Sequence, residues 1–190
     1  GTQTGKKIVE VAGTRFKKLS LELGGKNANI IFADCDFDEM LRTTIRSSFA
    51  NQGQICLCGS RILIEETIYD KFKDAFVKKV ETMKVGDPSL PETKMGAVVS
   101  KGHKEKILSY IALAKEEGGT ILCGGESITM PGELSGGYYI APTVIEGLSQ
   151  GCRTNREEIF GPVVTIESFK DEEDALAKAN ATEYGLSGTI

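Results

Sequence analysis

The sequence predicts an α/β fold in which an open, mostly parallel sheet forms the middle of three layers and helices cover both of its faces. The first observation behind this prediction is that short, β-branched runs alternate with longer segments of helical periodicity. The second is the length of 190 residues, which suits one domain or one and a part. The third is a content of 40% apolar and 26% charged residues, which is ordinary for a globular protein.

The first half of the chain alternates between strands and helices. Strands are predicted where apolar residues recur at every second position, and helices where they recur on one face. In order, the elements are a loop that enters a helix (1–13), two strands (17–23 and 27–32), a helix from Asp36 to Asn51, a strand (60–65) and a helix from Thr67 to Met83. The pair of Asp36 and Glu39 is typical of a helix start.

The second half continues this alternation. Ser100 is predicted to cap a third helix, which ends at Gly118 and Gly119. The remaining elements are strands at 120–123, 138–145 and 163–169, and a helix from Asp171 to Asn180 that is capped by Asp171 and Asp174. The chain starts without methionine and stops inside the strand-like run YGLSGTI. We therefore expect it to be a piece of a longer protein.

Composition and charge exclude several classes of partner. The net charge is −4 and no basic stripe is present, which argues against nucleic acid. No apolar run reaches the length of a membrane span, and no signal peptide opens the chain. The five cysteines are irregularly spaced and odd in number, which argues against a disulfide framework and for a reducing compartment, the cytoplasm.

The cysteines raise the question of metal binding or catalysis. A structural zinc site needs four Cys or His ligands, whereas the chain offers one C-x-C pair, Cys56 and Cys58, and one histidine, His103. We therefore predict no metal site and no special role for His103. Three further cysteines are interpreted as small buried apolar residues: Cys35, Cys123 and Cys152.

Cys56 has different surroundings, because it follows a helix break at Gly53 and precedes a strand. Loops held by a rigid scaffold often carry catalytic groups, and free backbone amides there can stabilise a thiolate. From these residues alone, a buried and inert Cys56 is the favoured interpretation and a catalytic one is the alternative. A redox pair of Cys56 and Cys58 is a third, less favourable one.

Glu22 and the glycines Gly24 and Gly25 form a second candidate group. A carboxylate at the end of a strand beside paired glycines could act as a general base, but from these residues alone an ordinary strand-end acid is the favoured interpretation. The opening GTQTG could belong to a phosphate-binding loop that starts a helix, although a single glycine-rich stretch is weak support.

Four segments taken together resemble signature blocks of the aldehyde dehydrogenase superfamily. They are LELGGKNANIIF, FANQGQICLCGSR, EEIFGPVV and ANATEYGLSGTI, and they occur in the family's order over essentially the whole chain. The ICLC run is most similar to the branch that acts on muconic semialdehydes, notably 2-aminomuconic semialdehyde.

The resemblance implies roles for individual residues. Cys56 matches the family's nucleophile and Glu22 its general base, while Cys58 is interpreted as packing. The residues that match contacts to the cofactor, NAD or NADP, are Gly1, Thr2, Gly5, Leu23, Gly24, Glu158 and Phe160.

The same resemblance implies a reaction and a division of the chain. The reaction is oxidation of an aldehyde to a carboxylic acid through a cysteine thiohemiacetal and a thioester, in a protein that is a homo-oligomer at full length. Residues 1–23 are expected to be the end of the NAD-binding domain, and 24–190 a catalytic domain that is incomplete at its C-terminus. We expect the isolated 190 residues to be inactive. The alternatives are a non-catalytic protein that keeps the fold, and a relative that transfers the thioester to coenzyme A.

Overall fold

The computed structural model describes all residues from 1 to 190 and is built on one six-stranded sheet. The helices are α1 (Thr2–Gly13), α2 (Phe37–Phe49), α3 (Tyr69–Glu81), α4 (Lys101–Glu116), α5 (Arg153–Arg156) and α6 (Glu172–Ala179). The strands are β1 (Ala28–Ile31), β2 (Arg61–Glu65), β3 (Thr120–Cys123), β4 (Ser127–Ile128), β5 (Tyr139–Ile140), β6 (Thr143–Glu146), β7 (Val163–Phe169) and β8 (Gly188–Thr189). Each helix is too short or too polar to span a bilayer.

The sheet has the strand order β3-β6-β7-β2-β1-β8. All neighbours are parallel except β3, which pairs antiparallel with β6 at one edge. The strands β4 and β5 form a separate two-stranded sheet. The predicted α/β class with an open, mostly parallel sheet is therefore confirmed.

Alternate residues of the central strand β2 face two different helical layers. Ile62 and Ile64 belong to the apolar cluster that contains Phe72 and Phe76 of α3. Leu63 belongs to the opposite cluster, with Ala175 of α6. Since all three β2 side chains are nearly inaccessible to solvent, the strand reads as a continuous apolar run, as parallel strands covered on both faces do.

Three helices begin at the capping side chains that the sequence predicts. The side chains of Asp36, Ser100 and Asp171 each accept a hydrogen bond from the backbone N–H three residues later. These bonds satisfy N–H groups that have no partner inside the helix, so the ends of α2, α4 and α6 are set locally.

Two strand predictions are wrong, the first because the segment has no partner strand and the second because the strand is interrupted in its middle. The backbone of residues 17–23 joins no sheet, and its alternating leucines stay partly exposed, with Leu19 at 41% and Leu21 at 37%. The predicted strand 138–145 splits at Ala141 and Pro142 into β5, which pairs with β4, and β6, which joins the main sheet. Of the run YGLSGTI, only β8 pairs with β1.

Arg61, at the start of β2, ties three segments together. Its buried guanidinium donates hydrogen bonds to the carbonyl oxygens of Lys26, Lys178 and Ala179, at 3.0, 2.8 and 2.7 Å. The last two carbonyls lie at the C-terminal end of α6, where a cation is favourable. Arg61 therefore fixes the segment around Lys26 to the sheet.

Candidate functional site

Cys56 lies at a corner of a tight turn between α2 and β2. The turn runs from Ile55 to Cys58 and is closed by a hydrogen bond of 3.0 Å from the Cys58 N–H to the Ile55 carbonyl. The backbone N–H groups of Cys56 and Leu57 have no acceptor within the protein. The Cys56 side chain is half-buried, so reagents can reach it, whereas Cys58 is only 8% exposed.

The approach to this turn is an unusual stretch of backbone. Asn51, Gln52 and Gly53 are consecutive residues in the left-handed region, with φ of 49°, 59° and 68°. Such conformations cost energy for residues with a side chain, and they cluster at functional sites. A Cβ at Gly53 would lie 2.6 Å from the carbonyl carbon of Gly161, so only glycine fits there.

Hydrogen bonds hold this stretch against the segment before α4. The side-chain amide of Gln52 donates to the Ala97 carbonyl at 3.0 Å. The Val99 N–H donates to the side-chain oxygen of Gln54, also at 3.0 Å. The two glutamines thus connect the Cys56 loop to residues that are distant in sequence.

Asn27 contacts the turn from the other side. Its Nδ2 donates to the carbonyl oxygens of Cys56 and Cys58, at 2.7 and 3.1 Å. The side chain of Asn27 is buried, with 4% of the residue exposed. The segment that follows Glu22 therefore supports the turn that carries Cys56.

Glu22 lies on the exposed part of that segment and lines a cleft of about 1050 Å³. Predicted site residues that share this cleft are Gly1, Thr2, Leu23, Gly24 and Glu158. Cys56, Gly5 and Phe160 are not among its lining residues. Gly5 instead packs under the side chain of Leu23, since a Cβ there would lie 2.7 Å from Leu23 Cδ2.

Glu158 occupies the space that the paired glycines leave open. Its Oε1 accepts a hydrogen bond of 3.0 Å from the Gly25 N–H. A Cβ at Gly24 would lie 2.8 Å from the Glu158 carboxyl carbon, so the carboxylate rests on bare backbone. Lys106 Nζ donates to the Glu158 carbonyl at 3.0 Å, which links this contact to α4.

Phe160 has a left-handed backbone, with φ of 62°, and is held by the only histidine. His103 Nε2 lies 2.6 Å from the Phe160 carbonyl oxygen. The two rings meet edge to face, with centroids 6.1 Å apart. His103 has no predicted role, because nothing local in the sequence indicates that α4 reaches Phe160.

Four cationic and four acidic side chains line the cleft, and one pair of them is tightly bonded. Arg153 makes two hydrogen bonds to the Glu157 carboxylate, of 2.7 and 3.0 Å, and Tyr110 also donates to that carboxylate. The hydrogen bonds from Arg153 are the largest cause that lowers the pKa of Glu157. Burial and the bond to Glu157 raise the pKa of Tyr110 to about 12. The cations that line the cleft are Lys6, Lys106, Arg153 and Arg156, none of which sequence analysis identified.

Lys26 is a buried lysine that directly precedes Asn27 in the chain. Burial, and then the nearby Arg61, lower its pKa to about 7, while Glu158 acts in the opposite direction. Only 2% of the residue is exposed. No group of three or more His, Cys, Asp or Glu side chains is arranged to hold a metal ion.

All five cysteines are free thiols. Burial raises the pKa of four of them, and for Cys123 the value rises to about 11. The four are Cys35, Cys58, Cys123 and Cys152.

Comparisons with known proteins agree on one family. The family model described as "Aldehyde dehydrogenase family" matches residues 1–190. The 2-aminomuconic semialdehyde dehydrogenase of Danio rerio is 45% identical over 191 residues, which cover 100% of this chain and 39% of that protein. The 2-aminomuconic 6-semialdehyde dehydrogenase of Pseudomonas sp is 44% identical over 189 residues, covering 100% of this chain and 38% of that protein.

Solved structures give the same result. The crystal structure of betaine aldehyde dehydrogenase from Staphylococcus aureus in complex with NAD+ is 42% identical, with a TM-score of 0.93. The match covers 99% of this chain and 37% of that chain. This chain thus spans about 39% of the length of the curated relatives that it matches. The family resemblance of the four sequence blocks is confirmed, and the chain belongs to the aldehyde dehydrogenase family.

Proposed function

We propose that this protein oxidises an aldehyde to a carboxylic acid with NAD(P)+, with Cys56 as the nucleophile and Glu22 as the general base. The observation that carries the proposal is the turn from Ile55 to Cys58, which holds a reachable thiol beside backbone N–H groups that have no acceptor. A thiol of this kind is an effective nucleophile, and free N–H groups are suitable donors for an oxyanion.

The Cys56 sulfur, as the thiolate, attacks the aldehyde carbon and forms a tetrahedral thiohemiacetal. Its oxygen, negatively charged, accepts hydrogen bonds from backbone amides such as the Cys56 N–H. As the C=O bond re-forms, the carbon loses its hydrogen as hydride and remains attached to sulfur as a thioester. The thiolate is suited to this sequence because it both adds to carbonyls and leaves again.

Glu22 completes the reaction by removing a proton from water. The resulting hydroxide attacks the thioester carbon, the C–S bond breaks, and the carboxylic acid and the Cys56 thiolate are released. The position of Glu22 in an open cleft supports this role because water, its second reactant, can enter there.

The residues of the cleft fit a dinucleotide cofactor. The cleft begins at the N-terminal end of α1, where backbone N–H groups and the helix dipole favour phosphate, and its lining includes four cationic side chains beside four carboxylates. We propose that Gly1, Thr2, Leu23, Gly24 and Glu158 hold the cofactor in this cleft, and that Gly5, which packs under Leu23, and Phe160, which lies outside the cleft lining, complete the binding site. NAD(P)+ bound there would supply the hydride acceptor.

We propose that residues 1–23 belong to the cofactor-binding domain and 24–190 to the catalytic domain. A muconic-type semialdehyde is the proposed substrate class, because relatives at 44–45% identity carry that name. We also propose a homo-oligomer in the cytoplasm, a reducing compartment in which five free thiols persist.

The test is Cys56→Ser in the protein as it occurs in its host, with Cys58→Ser as the matched control. Aldehyde-dependent NADH formation should fall by about a thousandfold or more in C56S, since an alcohol is far less ionised than a thiol. C58S should keep wild-type turnover within a few-fold. Wild-type turnover in C56S would reject the proposal.

A further inference from the structure

Asn27 connects the two segments that carry the proposed base and the proposed nucleophile. It follows Glu22 on the same stretch of chain, and its side-chain amide reaches the turn of Cys56. Asn27 Nδ2 lies 2.7 Å from the Cys56 carbonyl oxygen and 3.1 Å from the Cys58 carbonyl oxygen. An amide nitrogen carries two hydrogens, so these two bonds use its whole donor capacity.

The orientation of the Asn27 amide follows from its neighbours. Both contacts are carbonyl oxygens, which only accept hydrogen bonds, so the nitrogen must face them. The Oδ1 of the same side chain is buried and has no partner. A buried polar atom without a partner is costly. The site bears this cost at Oδ1, so its requirement is for the two N–H donors of the amide.

The two carbonyls that Asn27 holds belong to the turn itself. Because a peptide group is planar, fixing the Cys56 carbonyl also fixes the direction of the Leu57 N–H. The carbonyl of Cys58 marks the point where the chain leaves the turn toward β2. Asn27 therefore sets the orientation of the Cys56–Leu57 and Cys58–Gly59 peptide groups.

Asn27 can do this because its own backbone is anchored. The Arg61 N–H donates to the Asn27 carbonyl at 3.2 Å, and Arg61 Nε donates to the Lys26 carbonyl at 3.0 Å. Arg61 begins β2 in the middle of the sheet. The rigid sheet thus supports Asn27, and Asn27 supports a loop that is otherwise built on left-handed residues.

We propose that Asn27 is a positioning residue for the aldehyde oxidation: its amide holds the turn from Ile55 to Cys58 in the orientation that presents the Cys56 thiol to the aldehyde carbon. This inference rests on the proposed function. Asn27 acts through the turn, since its donors are already bonded to backbone carbonyls.

Asn155 provides a matched control within the same chain. It is also 4% exposed, its Nδ2 also donates to two backbone carbonyls, those of Leu148 and Ser149, and its Oδ1 is also buried without a partner. Asn155 does not contact the Cys56 turn, so its variants report the structural cost of losing such an amide.

The experiment compares Asn27→Asp, Asn27→Ser, Asn155→Asp and Asn155→Ser in the protein as it occurs in its host. Aspartate keeps the size of asparagine but, when ionised, has no donor; serine keeps one donor on a shorter side chain. The rate constant of the first-turnover NADH burst should fall about tenfold or more in N27D and less in N27S, because reacting atoms tolerate little misplacement. The KM for the aldehyde should stay within about threefold of wild type.

Several outcomes would overturn the proposal. The Asn155 variants should lower the melting temperature and leave the burst rate constant within about twofold. If burst rates fall in parallel with melting temperature in both series, the role of Asn27 is structural. If N27D does not fold, N27S decides; if neither Asn27 variant folds while both Asn155 variants do, the positioning role is rejected.

Comparing C56S with N27D separates the positioning role of Asn27 from the proposed function on which that role rests. A wild-type burst in C56S would remove the proposed function, and the role of Asn27 with it. A burst that is lost in C56S but unchanged in N27D would leave the proposed function standing and reject only the positioning role.

Discussion

The Cα of Gly53 faces the backbone of Gly161, and a Cβ on Gly53 would lie 2.6 Å from the Gly161 carbonyl carbon. The φ of Gly53 is 68°, a region that disfavours residues with a side chain. This contact joins the end of the α2 loop, just before the turn of Cys56, to the segment that carries Phe160. Two parts of the proposed site are therefore in contact through bare backbone.

Replacing Gly53 with alanine should disturb both parts of the site. Strain at a positive φ and the clash with Gly161 together should lower the free energy of unfolding by about 2 kcal/mol or more. Urea unfolding measures this loss. The control is Gly102→Ala in α4, where a Cβ meets nothing within 4 Å, and its effect should stay below about 1 kcal/mol. Equal stability of the two variants would contradict the contact.

Glu22→Gln should separate the two halves of the reaction. Because the proposed role of Glu22 is to activate water for thioester hydrolysis, the first-turnover burst of NADH should persist while steady-state turnover falls about a hundredfold or more. Stopped-flow absorbance resolves the two phases. Glu183→Gln, which removes another exposed carboxylate from the same cleft, should keep both phases. Loss of the burst in E22Q would indicate instead that Glu22 activates the thiol.

Iodoacetamide should label Cys56 before the other cysteines. The thiolate is the reacting form, and raised pKa values keep the other four thiols largely protonated at pH 7.5. Peptide mapping after a short exposure gives the order of labelling. Cys58 is the internal comparison, because it is two residues away but buried. Labelling of Cys58 as fast as Cys56 would show that the turn does not distinguish the two thiols.

Lys26 should make stability rise with pH above neutrality. Its pKa is about 7 in the folded state and near 10.5 when unfolded, so between these values the unfolded chain binds the extra proton. The contribution of Lys26 to the free energy of unfolding therefore grows with pH across this window, by up to about 1.4 kcal/mol per pH unit.

Lys26→Met should remove this contribution. Urea unfolding at pH 7.5, 8.5 and 9.5 should show a shallower pH dependence in K26M than in the wild type, with the largest gain in stability at pH 7.5. Lys101→Met is the control, since that side chain is 76% exposed, and it should keep the wild-type slope. An unchanged slope in K26M would mean that Lys26 keeps its proton in the folded protein.

The elements that could be predicted from sequence are those with local causes. The run Arg61–Glu65 is apolar enough to predict a strand with helices on both faces of its sheet. The side chains of Asp36, Ser100 and Asp171 predict three helix starts, and each of them accepts a hydrogen bond from a backbone N–H in the first turn. Where the outcome depends on a distant partner, the prediction is wrong: residues 17–23 alternate as a strand does but pair with no other strand.

The candidate site divides in the same way. Cys56 and Glu22, the residues proposed to react, stand in motifs, so the resemblance of short segments is enough to predict them. The contacts that support the site have no such motif, because the bonds of Asn27 to Cys56 and of His103 to Phe160 join residues that only folding brings together. An asparagine after LGGK or a histidine on a helix has no local signal for such contacts.

The bond between His103 and Phe160 restricts how protons can move at this site. The Phe160 carbonyl only accepts, so the imidazole must carry a hydrogen on Nε2. Since this is the only histidine in the chain, and its Nε2–H is bonded to the Phe160 carbonyl, the protein has no imidazole whose Nε2 is free to accept a proton from a bound molecule.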